Sequence, residues 1–162
     1  MALSLRDATP ADVPLVLRLV RALAEYERLL HEVTATEEDV RRLLFGAPPR
    51  AWALIAEWDG APVGFALWCY AVSTFVGRPS VYVEDVFVEP AHRGRGIGRR
   101  IFAELARRAL AEGCGRMEWS VLDWNEPSIA FYRSIGARPR EGWTLQQLTG
   151  PALTALAARM EA

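Results

Sequence analysis

The chain has 162 residues, 51% of them hydrophobic and 24% charged, with a formal charge of −1. That size and balance predict a single domain over residues 1–162, or at most a domain with a small appendage, able to bury a core without disulfide or metal. All 19 basic residues are arginine, which excludes lysine Schiff-base enzymes and the G-x-x-x-x-G-K-S/T nucleotide loop.

A short strand is predicted over Leu3 to Arg6, and Thr9-Pro10 with Asp12 reads as a helix start. Val13, Val16, Leu17, Val20, Leu23 and Ala24 then recur at helical spacing. A second short helix is expected from Thr36 to Phe45, ended by Pro48-Pro49. Strand-like runs over Ala51–Trp58 and Ala61–Val72 meet across Asp59-Gly60, a hairpin signal, and Ser80–Val88 forms a third strand. Ile97, Ile101, Leu105 and Ala109 mark a long amphipathic helix that ends near Gly113. After it come a strand over Arg116–Leu122 and a helix from Pro127 to Ile135 closed by Gly136. A last strand near Trp143–Leu148 and a C-terminal helix from about Pro151 complete the chain. The order predicts a mixed α/β domain around one sheet; strand–helix alternation starts too late for a doubly wound fold.

Cys69, Cys114, His31 and His92 lie far apart, without C-x-x-C or H-E-x-x-H spacing. No metal site or disulfide framework is expected, and both thiols are read as free. Arg6, Asp7 and Asp12 break the first apolar stretch, and no apolar run approaches the ~20 residues of a membrane span. A cytoplasmic location without a membrane partner is the expectation.

The chemistry concentrates at Arg93-Gly94-Arg95-Gly96-Ile97-Gly98, which lies between an apolar strand and the long helix. Alternating glycines let backbone N–H groups approach a ligand at a helix N-terminus, where the dipole favours an anion. A site of phosphate or pyrophosphate size is the favoured reading. A plain tight turn with solvated arginines and an Arg-Gly segment that binds RNA are the alternatives. Nucleic acid is the weakest of the three, because such segments are usually disordered and repeated.

Charge is partitioned along the chain. Seven arginines lie between Ala91 and Arg116 against Glu104 and Glu112, whereas six acids between Glu25 and Asp39 face Arg28 alone. One region would hold an anionic cofactor and the other attract a cationic substrate; solvated helix faces explain the pattern equally well. Glu27 continues the inward stripe of Val20 and Leu23. Glu84 and Asp85 interrupt an apolar strand, so at least one carboxylate is expected in a cleft or covered site. A carboxylate satisfied by backbone N–H groups is the alternative. Asn125-Glu126-Pro127-Ser128 opens the helix that carries Phe131-Tyr132, and spacing alone makes Tyr132 a core residue.

Together these blocks resemble the GNAT superfamily of acetyl-coenzyme A-dependent N-acetyltransferases. Arg93-x-x-Gly96-x-Gly98 matches its Gln/Arg-x-x-Gly-x-Gly/Ala pyrophosphate loop. Leu23-Ala24-Glu25-Tyr26-Glu27, Tyr82 to Val88, Trp124 to Ser128, Phe131-Tyr132, Gly136-Ala137 and Glu141-Gly142-Trp143 are similar to the diamine (spermidine/spermine) branch. The resemblance runs from about Leu5 to Leu148. It implies a mixed, mostly antiparallel sheet flanked by helices, with central strands splayed at the cofactor site.

It further implies that Val86, Phe87 and Val88 pair with the pantetheine arm. Arg93, Gly94, Arg95, Gly96, Ile97, Gly98 and Arg99 would hold the pyrophosphate, and Asn125 and Ser128 would contact the coenzyme. Tyr132 becomes the general acid and Glu84 the proton acceptor, while Tyr26, Glu27, Glu84 and Glu141 line the amine site. The implied co-substrate is acetyl-CoA without a metal. The implied partners are a small-molecule amine and a second copy in a homodimer. Direct attack in a ternary complex needs no covalent intermediate, so Cys69 and Cys114 have no role. Two positions depart from the polyamine enzymes: Thr74 stands where they carry an acid, and Glu118 where they carry histidine. The loss at Thr74 brings thialysine or another small amine into contention beside a diamine. A non-catalytic acyl-coenzyme A-binding protein is the more distant alternative.

Overall fold

A computed structural model describes residues 2–161, and every structural statement below concerns them. They divide into two compact units, one ending at Glu126 and the other beginning at Pro127. In the first, β1 (Leu3–Asp7), α1 (Val13–Tyr26), α2 (Glu37–Phe45), β2 (Trp52–Trp58), β3 (Ala61–Ser73), β4 (Arg78–Val88), α3 (Ile97–Ala111) and β5 (Met117–Glu118) follow in order. The strands form one sheet in sequence order, antiparallel except for the parallel pair β4–β5.

Local chemistry sets the elements. The predicted start at Thr9-Pro10 is a 3-10 turn over Pro10–Asp12 that leads into α1. Asp12 accepts from the Thr9 N–H at 2.7 Å and from both terminal nitrogens of Arg6 at 2.8 Å. The Arg6 guanidinium holds its carboxyl well below the usual range, and the bidentate pair ties β1 to the helix start. Thr36 caps α2 by accepting from the Asp39 N–H, and Asp39 accepts in return from the Thr36 N–H. Asp59 (φ +50°) and Gly60 (φ +82°) are both left-handed, as a two-residue hairpin turn requires, and they set the β2–β3 register.

Both sheet faces are covered. Ala53 and Ile55 of β2 pack with α1 and α2, whereas Leu54 and Ala56 pack with α3. An uninterrupted buried run results where a one-sided sheet would alternate.

Two predicted strands are corrected. The strand expected over Arg116–Leu122 is only Met117–Glu118, because β5 pairs with Val81 and Tyr82 alone before the two strands part. Beyond that point no strand of the described residues pairs with the outer edge of β4 from Val83 to Val88. The expected splay falls between β4 and the edge strand β5 rather than between two central strands. The second unit holds α4 (Glu126–Ser134) from its second residue on and α5 (Gly150–Ala157), and no strand forms over Trp143–Leu148. A strand needs a neighbour for its backbone, and Trp143, Leu145 and Leu148 stay exposed.

Candidate active site

A β-bulge shapes the acidic part of the site. Trp68 pairs with Val83 and Leu67 with Asp85, so Glu84 is an extra residue with no opposite partner. The bulge exchanges the faces of β4. Val81 and Val83 pack in the cluster with α3, while Phe87, two places past Asp85, packs in the cluster with α1 and α2. Asp85 lies opposite Leu67 and shares its α1-side face. Strict alternation predicted opposite faces for Glu84 and Asp85; the bulge brings both carboxylates into one electrostatic group with Glu27.

Burial, and then the charges of Glu84 and Glu27, push the Asp85 carboxyl up to about 7. Burial also raises Glu27 at the end of α1. Cys69 on the neighbouring strand is raised by burial and by the charge of Glu84. Both cysteines are free thiols. Three other acids of the 25–39 region serve elsewhere: Asp39 caps α2, Glu38 pairs loosely with Arg42 at 4.0 Å, and Glu32 lies 3.8 Å from His31. Glu27 alone of that run joins the β4 carboxylates. Sequence alone offers Asp85 only as the neighbour of Glu84; the signal for its place is the extra residue in an alternating strand.

Tyr26 is held from three sides. Its hydroxyl donates to Asn125 Oδ1 at 3.1 Å, the Arg93 guanidinium lies 4.4 Å from its ring centroid, and the Trp124 ring lies 6.2 Å away. Arg93 also donates from Nε to the Val88 carbonyl at 2.9 Å, and its guanidinium lies 5.6 Å from the Phe87 ring. The first residue of the glycine loop thus bridges β4 and the end of α1. Asn125 is buried, with its side-chain oxygen engaged by Tyr26. Arg28 lies over Trp124 at 5.3 Å, a contact between segments far apart in the chain that no local pattern predicts.

The loop itself fits a pyrophosphate. Gly94 (φ +74°) and Gly96 (φ +78°) are left-handed, and a Cβ at either would meet nothing within 4 Å, so an open cradle surrounds them. Gly96 caps α3 without a side chain over its first N–H groups, which leaves them for an anion. Arg95, Arg99 and Arg100 add positive charge there, with Ile97 buried beneath as the anchor and Gly98 in the first turn. Arg107 and Arg108 instead pair with Glu104, Arg108 also with Asp7, and Arg116 pairs with Glu118. Val86 and Val88 lie on the unpaired edge just before the loop, with Phe87 buried between them.

In the second unit, Ser128 occupies the first turn of α4 and Tyr132 lies one turn later, both half-buried. The Tyr132 and Phe131 rings are 5.5 Å apart. Gly136 (φ +91°) follows the helix end, and Glu141 is exposed in a turn with Gly142.

A doubly covered mixed sheet with a parted β4–β5 pair and a glycine loop opening α3 is the architecture of an acyl-coenzyme A-dependent transferase. The Acetyltransferase (GNAT) family model matches residues 17–137, and the chain belongs to that family. It is an N-acetyltransferase, and enzymes of this family use acetyl-CoA. It is 38% identical over 166 residues to a thialysine N-epsilon-acetyltransferase of Bos taurus, covering 96% of this chain and 97% of that protein. It is 34% identical over 151 residues to a human spermidine/spermine N(1)-acetyltransferase-like protein, covering 87% of this chain and 22% of the relative. An integron cassette protein from the mobile metagenome of V. cholerae shares the fold, with a TM-score of 0.80 at 24% identity over 97% of this chain and 98% of that one. No helix of the described residues is long and apolar enough to cross a membrane.

Proposed function

We propose that this enzyme acetylates the terminal amine of a small amino acid of the thialysine and lysine type. The observation that carries the reading is the group of Glu27, Glu84 and Asp85 beside the parted strands. It offers one concentrated seat for a single ammonium group. Thr74, where a polyamine enzyme carries an acid, is exposed in the β3–β4 turn and adds no second seat. A full-length relative named for thialysine supports the same choice. A short diamine is the second reading, favoured by the same acidic seat.

The co-substrate supplies an activated acyl thioester; the chain's residues supply binding and proton transfers. Backbone N–H groups from Gly94 to Arg99 hold the pyrophosphate, with Arg95 and Arg99 adding charge. Val86, Phe87 and Val88 offer backbone groups along the open edge, and Asn125 and Ser128 line the coenzyme's path. Tyr26, Glu27 and Glu141 line the amine site.

An alkylammonium of pKa near 10 must lose a proton before it attacks. Glu84 and Asp85 share that task, and a carboxyl raised to about 7 holds a proton far better than an ordinary one. A backbone N–H near Phe87 donates to the developing oxyanion. Tyr132 delivers a proton to the departing sulfur. A single catalytic domain over residues 1–162 belongs to the same proposal; the family match, residues 17–137, extends past Glu126. A homodimer is part of the same proposal and rests on the family resemblance alone.

The test is coenzyme A release with acetyl-CoA and thialysine, lysine, ornithine, 1,3-diaminopropane, putrescine and spermidine. Thialysine should show the highest kcat/KM, about tenfold above spermidine, the scale of one charged contact. A preference for spermidine would replace this reading with a polyamine enzyme.

A further inference from the structure

We infer that Arg28 is a specificity-determining residue, taking the α-carboxylate of an amino acid whose distal amine sits among Glu27, Glu84 and Asp85. This rests on the acetyltransferase reading above and adds the residue that recognises the far end of the substrate.

The backbone gives the first reason. The Arg28 N–H donates to the Glu25 carbonyl at 3.1 Å, and the Leu29 N–H donates to the Ala24 carbonyl at 2.8 Å. These two bonds close α1 in a pattern whose left-handed residue is ordinarily glycine. That residue here is arginine, at φ +64°. An L-residue with a long side chain is disfavoured in this conformation, and such strain concentrates where a side chain is held for use.

The side chain gives the second reason. The Arg28 guanidinium lies 5.3 Å from the centroid of Trp124, whose ring neighbours Tyr26 at 6.2 Å. Tyr26 is in turn fixed by Asn125 and Arg93. Arg28 is therefore seated on a supported aromatic surface. Guanidinium stacking on a ring leaves its N–H edge directed outward, where a carboxylate can be bound in a two-point grip.

Charge gives the third. Glu27, the preceding residue, is coupled electrostatically to Asp85. The end of α1 thus carries one acid of the seat and a cation at consecutive positions. A substrate with an ammonium at one end and a carboxylate at the other matches both. A diamine brings a second ammonium against Arg28 and is disfavoured, which is discrimination by repulsion as well as attraction.

The experiment compares thialysine with bis(2-aminoethyl) sulfide, the same chain without its carboxylate, in the wild-type enzyme and in Arg28→Gly and Arg28→Glu. Acetyl-CoA affinity, measured by calorimetry, should be unchanged in both variants, which shows that the coenzyme site is intact. Arg28→Gly relieves the backbone strain and should raise Tm, while the preference for thialysine falls about tenfold, the scale of one charge-assisted contact. Arg28→Glu should invert the preference. A purely structural Arg28 would lower both substrates in parallel, and an unchanged ratio in both variants would overturn the inference while leaving the acetyltransferase reading intact. A wild-type preference for the sulfide diamine would overturn the amino-acid reading and this role together. Release of coenzyme A with neither amine would do the same.

Discussion

Asp85 carries the sharpest consequence at the scale of one residue. Its carboxyl is raised from 3.8 to about 7 by burial beside Glu84 and Glu27, so the folded state holds the proton more tightly than the unfolded chain does. The stabilising effect of that proton is complete below about pH 4 and is lost as pH rises through 7. Asp85→Asn removes the ionisation. The variant should match the wild type in Tm at pH 4 and exceed it by about 5 °C at pH 8.5. The same change should lower kcat/KM about a hundredfold and remove the titration near pH 7 from its pH profile. Equal melting temperatures at both pH values would show that Asp85 ionises as it does in water. Asp85 and Glu84 were legible as polar interruptions of an apolar strand. Their grouping with Glu27 was not, since it depends on a bulge set by the pairing of β3 with β4.

Among the elements, α3 and its glycine loop were the most readable, because a left-handed glycine turn opening a helix is made by adjacent residues. Gly96 caps the helix at φ +78° with open space where a Cβ would point. Gly96→Ala therefore meets no clash; its cost is backbone conformation, about 1 kcal/mol. Acetyl-CoA affinity should weaken about tenfold as the loop N–H groups turn away, with a Tm loss of about 3 °C. Calorimetry and thermal melts check the two together, and an unchanged affinity would remove the loop from the pyrophosphate site. The hairpin at Asp59-Gly60 and the cap at Thr36 were legible for the same local reason. β5 was not: its Arg116–Leu122 sequence suits a strand, but a strand ends where its neighbour turns away.

At the scale of the whole molecule, the proposed homodimer gives the remaining prediction. Sedimentation equilibrium at micromolar concentration should return twice the 18.0 kDa of one chain; a single-chain mass would remove the dimer. The segment Trp143–Leu148 has strand-like sequence but no strand partner among the described residues, so its pairing was never decided by its own residues.

Lysine is absent from the whole sequence, so the proposed pyrophosphate grip draws on backbone N–H groups and arginine. By itself the sequence determined the family, the glycine loop, the caps and the hairpin, because each depends on residues a few places apart. The tertiary structure decided the bulge that gathers Glu27, Glu84 and Asp85. It also decided the short β5 that opens the sheet, and the aromatic seat that Trp124 gives Arg28. Those features arise from contacts between distant segments, where packing and pairing override what any one segment prefers.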